Sequence, residues 1–228
     1  MKRALVLALV LACGGSVPKV NDPKVRRDAT DRLQAAISIV KALGAELDSG
    51  IPTFVAKKAR CVAIVPNLVH AGFLVGARGG NGVVSCRSPA GWTEPAFFTL
   101  SGASAGIQAG AETVDLVMLA TTSATESSFL AGRFQLGASG SFAAGPIGRA
   151  AEIASDVTLA PVLFYSRSKG LFVGLDLGGT SSAPDEEATR AFYGDRRDLG
   201  VLLKGPHPVP PVAAAFQATL AEAFGVED

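Results

Sequence analysis

The spacing of apolar residues predicts a long helix near the start of the chain. Between residues 23 and 48, apolar side chains recur every three or four positions, which is the period of one helix face. Asp22 and Pro23 stand at its beginning, where an aspartate cap and a proline in the first turn favour a helix start. Basic and acidic residues share this segment. The pattern therefore predicts an amphipathic helix that either docks on the core alone or also meets a membrane surface.

From Cys61 onwards the apolar pattern changes to that of strands. A short helix beginning at Pro52 is expected before this change, and a second one is expected over Thr122–Leu130. The segment Gly79–Gly82 predicts a hairpin turn, because glycine and asparagine favour tight reversals between strands. The stretches that predict strands are CVAIVP, the two halves of VHAGFLVGARGGNGVVSCR, AFFTLSG, SAGIQAGA, TVDLVMLA and DLGVLLKG.

Helical patterns return towards the end of the chain. Asp185 or the residue before it is expected to cap a short helix that stops at Gly194, and a longer C-terminal helix is predicted with Val212, Phe216 and Leu220 on its apolar face. Helices therefore come first, strands follow, and helices come last. This order predicts an α+β fold with a mostly antiparallel, glycine-rich sheet or barrel-like core, flanked by N-terminal and C-terminal helices.

The first residues have the pattern of an export signal. Lys2 and Arg3 precede a short apolar run that is too short to span a bilayer as a helix. The sequence Val-Leu-Ala-Cys that ends at Cys13 is similar to a bacterial lipobox, whose cysteine becomes the lipidated N-terminus. The expected division is a signal peptide over residues 1–12, a lipidated tether over 13–22, and a single domain over 23–228 with its core in 51–205.

Acyl chains on Cys13 are expected to anchor the protein, since more than one chain gives stable membrane attachment. Gly14 stands where an acidic residue would favour inner-membrane retention, so the expected location is the outer membrane, facing the periplasm. The alternative is a simple secreted protein in which Cys13 occurs by chance.

Charge limits the partners that the chain can bind. The 228 residues carry a formal net charge of +1, and removal of residues 1–12 takes away Lys2 and Arg3. The 21 basic residues minus these two leave 19 against 20 acidic residues, a net charge of −1. This balance gives no electrostatic footprint for nucleic acid, so only local basic clusters are left to bind an acidic surface.

Cysteine and histidine usage further narrows the chemistry. In an oxidising compartment Cys61 and Cys86 are a candidate disulfide, and the alternative is two buried thiols. The chain has two histidines and neither a C-x-x-C nor an H-E-x-x-H pattern, so no metal site is expected. Its glycine-rich stretches lack the pattern of a nucleotide-binding loop, and no cofactor is predicted.

The stretch SGASAGIQAG contains G-x-S-x-G, the motif of a serine-hydrolase nucleophile, with Ser104 at its centre. That chemistry needs a strand, a sharp turn and then a helix, but the residues after Ser104 have no helical pattern. It also needs a base, and neither His70 nor His207 has an evident orienting acid. We therefore expect no catalytic residue, and a serine hydrolase is the weakest of three alternatives for the function.

An ordered set of stretches carries a resemblance to a known family. From Ile51 to Gly194 the chain resembles the SYLF domain, the yeast actin-binding domain of the Las17-binding type. This resemblance implies a lipid-binding module, because eukaryotic members bind phosphoinositides and some bind actin filaments. The implied headgroup site is Lys57 and Lys58 with Arg60 beside them. The stretches that match are IPTFVAKKA, CVAIVPNLVHAGFLVGARGGNGVVSCR, GWTEPAFF, GIQAGAETVDLVML, FQLGASGSFAAGPIGR, YSRSKGLFVGLDLGG and FYG.

Arg149, Arg167 and Lys169 are further candidates for contact with headgroup phosphate. Alternatively, an arginine here pairs with Asp156, Asp115 or Glu112 inside the fold, and the lysines of the implied site are ordinary solubilising charge. The expected function is a non-catalytic cell-envelope lipoprotein that binds phospholipid or phosphoinositide-like headgroups. The alternative is a structural or protein-interaction module of the envelope, attached by its lipid anchor alone to the membrane, with an unknown protein partner.

Overall fold

A computed structural model of the chain describes residues 22–45, 50–131, 133–136, 142–145, 160–168, 177–194, 199–203 and 209–225. The helices of this part of the chain are α1 (Pro23–Ala45), α2 (Thr53–Lys58), α3 (Ser123–Leu130), α4 (Glu186–Tyr193), α5 (Leu199–Leu202) and α6 (Pro211–Phe224). The strands are β1 (Cys61–Ser88), β2 (Gly91–Trp92), β3 (Ala96–Ala120), β4 (Gln135–Leu136), β5 (Phe142–Ala144), β6 (Val162–Ser168) and β7 (Thr180–Pro184).

Two very long strands form the centre of the sheet. β1 and β3 pair antiparallel along nearly their whole length, from Cys61 opposite Ala120 to Val84 opposite Ala96. β3 also pairs with β6 near its end and with β7 near its beginning, and both of these pairings are antiparallel. The strand order is β2-β1-β3-β6-β5, with β4 joined to β7. Since β5 and β6 are the one parallel pair among the described strands, the predicted α+β class with a mostly antiparallel sheet is confirmed.

The predicted hairpin at Gly79–Gly82 is wrong, because these residues lie inside the continuous strand β1. Gly80 and Gly82 serve close packing rather than chain reversal. A Cβ atom on Gly82 would lie 2.6 Å from a ring carbon of the buried Phe98 and 2.9 Å from the carbonyl oxygen of Ile64. A larger side chain would therefore collide with backbone as well as with an aromatic ring, and the chain reverses at residues 89–95 instead.

Two other strand predictions differ from the structure. The stretches AFFTLSG, SAGIQAGA and TVDLVMLA are not three strands but parts of the single strand β3. DLGVLLKG contains the short helix α5 rather than a strand, and its Leu202 and Leu203 are buried in the core. A short apolar run does not distinguish a strand from a buried helical turn, which is why the pattern misled here.

The two ends of β1 meet, so this strand curls back on itself. The backbone N–H of Arg87 donates to the carbonyl of Arg60 at 2.7 Å, and the N–H of Arg60 donates to the carbonyl of Ala120 at 2.8 Å. Beside this contact the Sγ atoms of Cys61 and Cys86 form a disulfide, and both residues are buried. The bond therefore joins the beginning of β1 to its end.

The sheet has a hydrophobic core on each face, because side chains alternate along a strand. On one face, residues such as Ile64, Phe97 and Val117 pack against α1, α4 and α6. On the other face, residues such as Val65 and Met118 pack with Phe129 of α3 and with Phe134 after it. The sheet thus has little choice of register, since a shift of one residue would exchange the side chains of the two faces and disrupt the packing of both cores.

Thr122, predicted as the first residue of a helix, instead caps α3 by accepting a hydrogen bond from the N–H of Thr125. The predicted cap and end of α4 are confirmed, and Asp185 accepts from the N–H of Ala188 at 3.0 Å. Gly194 ends α4 with a positive φ of 78°, which favours glycine. Among the described helices, none is both long enough and apolar enough to cross a membrane.

Candidate functional site

The helix α2 presents two lysines to solvent. Its Val55 and Ala56 are buried in the core, and the buried Ala59 follows directly after the helix. Since these three apolar residues fix the rotation of the short helix, Lys57 and Lys58 are exposed on its last turn. Among the described ion pairs, none involves either lysine. Both ammonium groups are therefore available to an anion in solvent.

Arg87 holds the end of α2 in place through hydrogen bonds to backbone carbonyls. Its Nε donates to the carbonyl of Ala59 at 2.6 Å, and its Nη2 donates to the carbonyl of Ala56 at 3.1 Å. The last carbonyls of a helix have no partner within the helix, and they carry the negative end of its dipole. Arg87 satisfies carbonyls at this end, so that the lysines of α2 stand on a fixed turn.

The same guanidinium also holds the end of α6. Nη1 donates to the carbonyl of Gly225 at 2.8 Å, and Nη2 donates to the carbonyl of Phe224. The guanidinium carbon lies 4.8 Å from the centroid of the Trp92 ring, and Trp92 Nε1 donates to Gly225 at 3.0 Å. Arg87 therefore joins the ends of two helices and one aromatic ring. No local motif in the sequence marks Arg87, so it is not among the predicted site residues.

Arg60 lies beside the two lysines but has an acidic partner. Its Nε donates to Oε2 of Glu126 on α3, and the two side chains are 43% and 18% exposed. We refer to Lys57, Lys58 and Arg60 as the α2 basic surface. No described acid pairs with Lys57 or Lys58, whereas Glu126 neutralises the charge of Arg60.

The remaining predicted basic residues are not brought to this surface by the described part of the chain. Arg149 and Lys169 lie outside the described residues, and of Arg167 the backbone alone is described. That backbone pairs with Asp115, five positions along β3 from Ala120, to which the N–H of Arg60 is bonded. At about 3.3 Å per residue, this separation is about 17 Å along the strand.

Helix α1 docks on the rest of the molecule through its apolar face and through two of its arginines. Its apolar residues are buried against α4, α6 and β1. Arg26 Nε donates to the carbonyl of Ala191 at 2.8 Å, and Arg32 forms an ion pair with Asp185 at 3.0 Å. The predicted docking of this helix on the core is therefore confirmed for its apolar face. Contact with a membrane surface stays a prediction, and the outer face carries a mixture of acids and bases.

The hydrolase motif does not form a nucleophile elbow. Ser104 lies within β3 opposite Gly76, and the strand continues to Ala120 without the turn and helix that the motif requires. His70 lies on β1 opposite Glu112, and His207 is outside the described residues. Among the described residues, no group of three or more histidine, cysteine or acidic side chains is placed to hold a metal ion.

Tyr165 is the described residue with a clearly shifted ionisation. Burial in the core raises the pKa of its phenol far above the usual value, because desolvation disfavours the charged form. The hydroxyl therefore stays neutral and adds no charge to the surface of the protein.

Cys13, the predicted site of lipid attachment, lies outside the described residues.

The fold and the site together define an α+β domain with a rigidly mounted basic surface. The chain matches the family model Ysc84, described as "Las17-binding protein actin regulator", over residues 101–223, which is more than half of its length. The protein belongs to this family, which confirms the resemblance noted from its sequence. The α2 basic surface lies before the residues that the family model matches.

Individual relatives agree with this assignment. Protein YSC84 of Saccharomyces cerevisiae is 38% identical over 171 residues, which are 73% of this chain and 36% of that protein. LAS seventeen-binding protein 3 of the same species is 38% identical over 78% of this chain and 40% of that protein. SH3 domain-containing YSC84-like protein 1 of Xenopus laevis is 38% identical over 64% and 44%, respectively. The chain therefore spans less than half the length of these relatives.

Proposed function

We propose that this protein binds the phosphate groups of anionic phospholipids through its α2 basic surface. The observation that carries the proposal is the exposure of Lys57 and Lys58 on a turn that the core and Arg87 hold in place. An ammonium group is a compact charge with three hydrogen-bond donors, and it pairs well with phosphate oxygens. Because the mature chain is expected to carry a net charge near zero, this local cluster supplies the attraction.

The expected affinity of this contact is modest. Two lysines near an anionic membrane contribute about thirtyfold to binding, and their effect falls off within a Debye length of about 8 Å at physiological salt. A contact of this strength exchanges quickly between headgroups. Such a contact holds the protein on a membrane for a long time only when a second attachment keeps the protein near that membrane.

We propose that Cys13 supplies this second attachment, in an exported protein anchored at the outer membrane and facing the periplasm. Replacing Cys13 with serine is expected to abolish incorporation of a labelled fatty acid and to move the protein from the membrane fraction to the soluble fraction. The measurement is metabolic labelling and fractionation of the producing bacterium. Equal labelling of the two forms contradicts the proposal of a lipid anchor.

Reversing the charge of both lysines tests the headgroup contact. In a full chain that carries Cys13→Ser, so that acylation cannot contribute, Lys57→Glu with Lys58→Glu is expected to weaken binding to anionic vesicles at least about thirtyfold. The assay is flotation with vesicles of phosphatidylglycerol and phosphatidylcholine. The binding of the unreversed protein is expected to weaken as salt is raised.

The matched control makes the same change of charge elsewhere. Lys24 and Lys41 are exposed on α1, and their replacement by glutamate is expected to leave vesicle binding close to that of the parent. If the control weakens binding as much as the α2 variant does, the overall charge rather than the α2 basic surface is responsible. If the α2 variant binds as well as the parent, the headgroup proposal is wrong.

The second candidate function is a protein-interaction module of the cell envelope. The observation in its favour is the family match, because the family description and one relative's name refer to binding of Las17 and to actin regulation. Crosslinking in cells, followed by identification of the bound protein, tests this candidate. A partner that binds the parent and the α2 charge-reversed variant equally well favours it over the headgroup proposal.

A further inference from the structure

We infer that Glu126 lowers the affinity of the α2 basic surface for phosphate, because its carboxylate occupies the guanidinium of Arg60 in the free protein. A phosphate group that reaches the lysines then competes with Glu126 for Arg60. This inference rests on the proposed function and assigns a regulatory contact to the same site. Glu126 is a positioning residue here, since it acts through Arg60 and not on the ligand.

The backbones of both partners are fixed, so the exchange involves side chains alone. Arg60 is bonded through its N–H to Ala120 and through its carbonyl to the N–H of Arg87, where the ends of β1 meet. α3 begins three residues after Ala120, with Thr122 as its cap, and this places Glu126 in the first turn. Arg60 and Glu126 are therefore both mounted on the end of β3.

The pair is exposed enough to exchange its partner. With 43% of the Arg60 side chain and 18% of the Glu126 side chain exposed, water and dissolved anions reach the contact. Exposed ion pairs contribute little to stability, because water screens the attraction and long side chains lose freedom when they pair. A guanidinium also binds phosphate through two parallel hydrogen bonds, a geometry that its single described contact with Glu126 does not use.

The neighbouring charges favour the exchange when an anion is present. Lys57 and Lys58 precede Arg60 by three and two residues, and no described acid pairs with either of them. A phosphate that binds the lysines brings its own negative charge close to Arg60 and repels the Glu126 carboxylate. Three cations then face the ligand instead of two, while the free protein exposes a smaller positive charge.

The test replaces Glu126 with glutamine in the full chain that carries Cys13→Ser. Glutamine keeps the shape of the side chain but removes the charge, so Arg60 is released. Glu126→Gln is expected to bind phosphatidylglycerol–phosphatidylcholine vesicles about two- to fivefold more tightly than the parent. The matched control Glu187→Gln removes an exposed acid from α4 and is expected to leave the affinity unchanged.

A second substitution separates the role of Arg60 from a general effect of charge. In a protein that carries Arg60→Gln, the further change Glu126→Gln is expected to give no gain in vesicle affinity, because the cation that it would release is absent. Repeating the titrations with inorganic phosphate distinguishes recognition of the phosphate group from recognition of a lipid surface. A gain with vesicles but not with inorganic phosphate shows that the released Arg60 binds the surface of the bilayer rather than a free phosphate group.

Each outcome decides one of the two proposals. If the parent binds no vesicles and Glu126→Gln binds none, both the headgroup function and this inference are wrong. If the parent binds but Glu126→Gln matches Glu187→Gln, or gains equally without Arg60, the inference alone is wrong. Should Glu126→Gln fail to fold in a thermal melt, Glu126→Asp tests the same contact, since a shorter carboxylate pulls away from Arg60. It is then expected to give a smaller gain, and no gain overturns the inference.

Discussion

Replacing Arg87 with alanine is expected to lower the free energy of unfolding by about 4 kcal/mol. Its guanidinium donates to the carbonyls at the ends of α2 and α6 and lies against the ring of Trp92. Hydrogen bonds from a charged donor each contribute more than neutral ones, and their loss leaves the carbonyls of Ala59 and Phe224 without a described partner. The substitution also removes packing against an aromatic face.

Urea unfolding and thermal melting measure this effect, and the midpoint temperature is expected to fall by about 10 °C for a chain of this size. Arg87→Lys keeps the charge but cannot reach carbonyls on two helices with one planar fork, so an intermediate loss is expected. Lys58→Ala changes an exposed basic residue nearby and is expected to cost almost nothing. If Arg87→Ala is as stable as Lys58→Ala, Arg87 does not join the two helices as described.

The position of the α2 basic surface also depends on Arg87. Val55 and Ala56 anchor the helix to the core, and Arg87 donates to the carbonyl of Ala56 in its last turn and to that of Ala59 directly after it. Stability and vesicle affinity are therefore expected to fall together in Arg87→Ala. In the Lys57 and Lys58 charge reversal, affinity falls while stability stays close to that of the parent.

The helix ends were predictable because their signals are local. Asp22 before Pro23, and Asp185 with Gly194 around α4, act within one turn of the chain. The sheet was harder, since a glycine in a strand has the same letter as a glycine in a turn. Gly82 packs against Phe98, a residue that is distant in sequence, and this contact decides its role.

The candidate site was predictable where its residues are close in sequence, and not where they are distant. Lys57 and Lys58 share one short segment, so their proximity follows from the chain itself. Glu126 is 66 residues from Arg60, and Arg87 acts on carbonyls up to 138 residues away. Arg87 reaches α2 because the two ends of β1 meet, and Glu126 reaches Arg60 because the beginning of β1 pairs with the end of β3. A pattern of apolar residues predicts which face of a strand is buried, but it does not encode how far a strand curls.

Removing the disulfide is expected to lower the free energy of unfolding by about 3 kcal/mol. The bond closes a loop with a sequence separation of 25 residues, and the loss of chain entropy in the unfolded state gives this magnitude. Cys61 and Cys86 are both buried, so alanine at these positions keeps an apolar environment. The variant Cys61→Ala with Cys86→Ala therefore tests the cross-link with little change in polarity.

The measurement is urea unfolding of the parent and the double variant, both carrying Cys13→Ser, with and without dithiothreitol. The parent is expected to lose stability in the reductant, and the double variant is expected to give the same midpoint in both conditions. Because the sulfur atoms are buried, reduction of the parent is expected to require prolonged incubation or partial unfolding. An equal midpoint for the oxidised parent and the double variant contradicts the cross-link as a source of stability. In that case the backbone bond between Arg60 and Arg87, together with the Arg87 side chain, is enough to hold the two ends of β1 together.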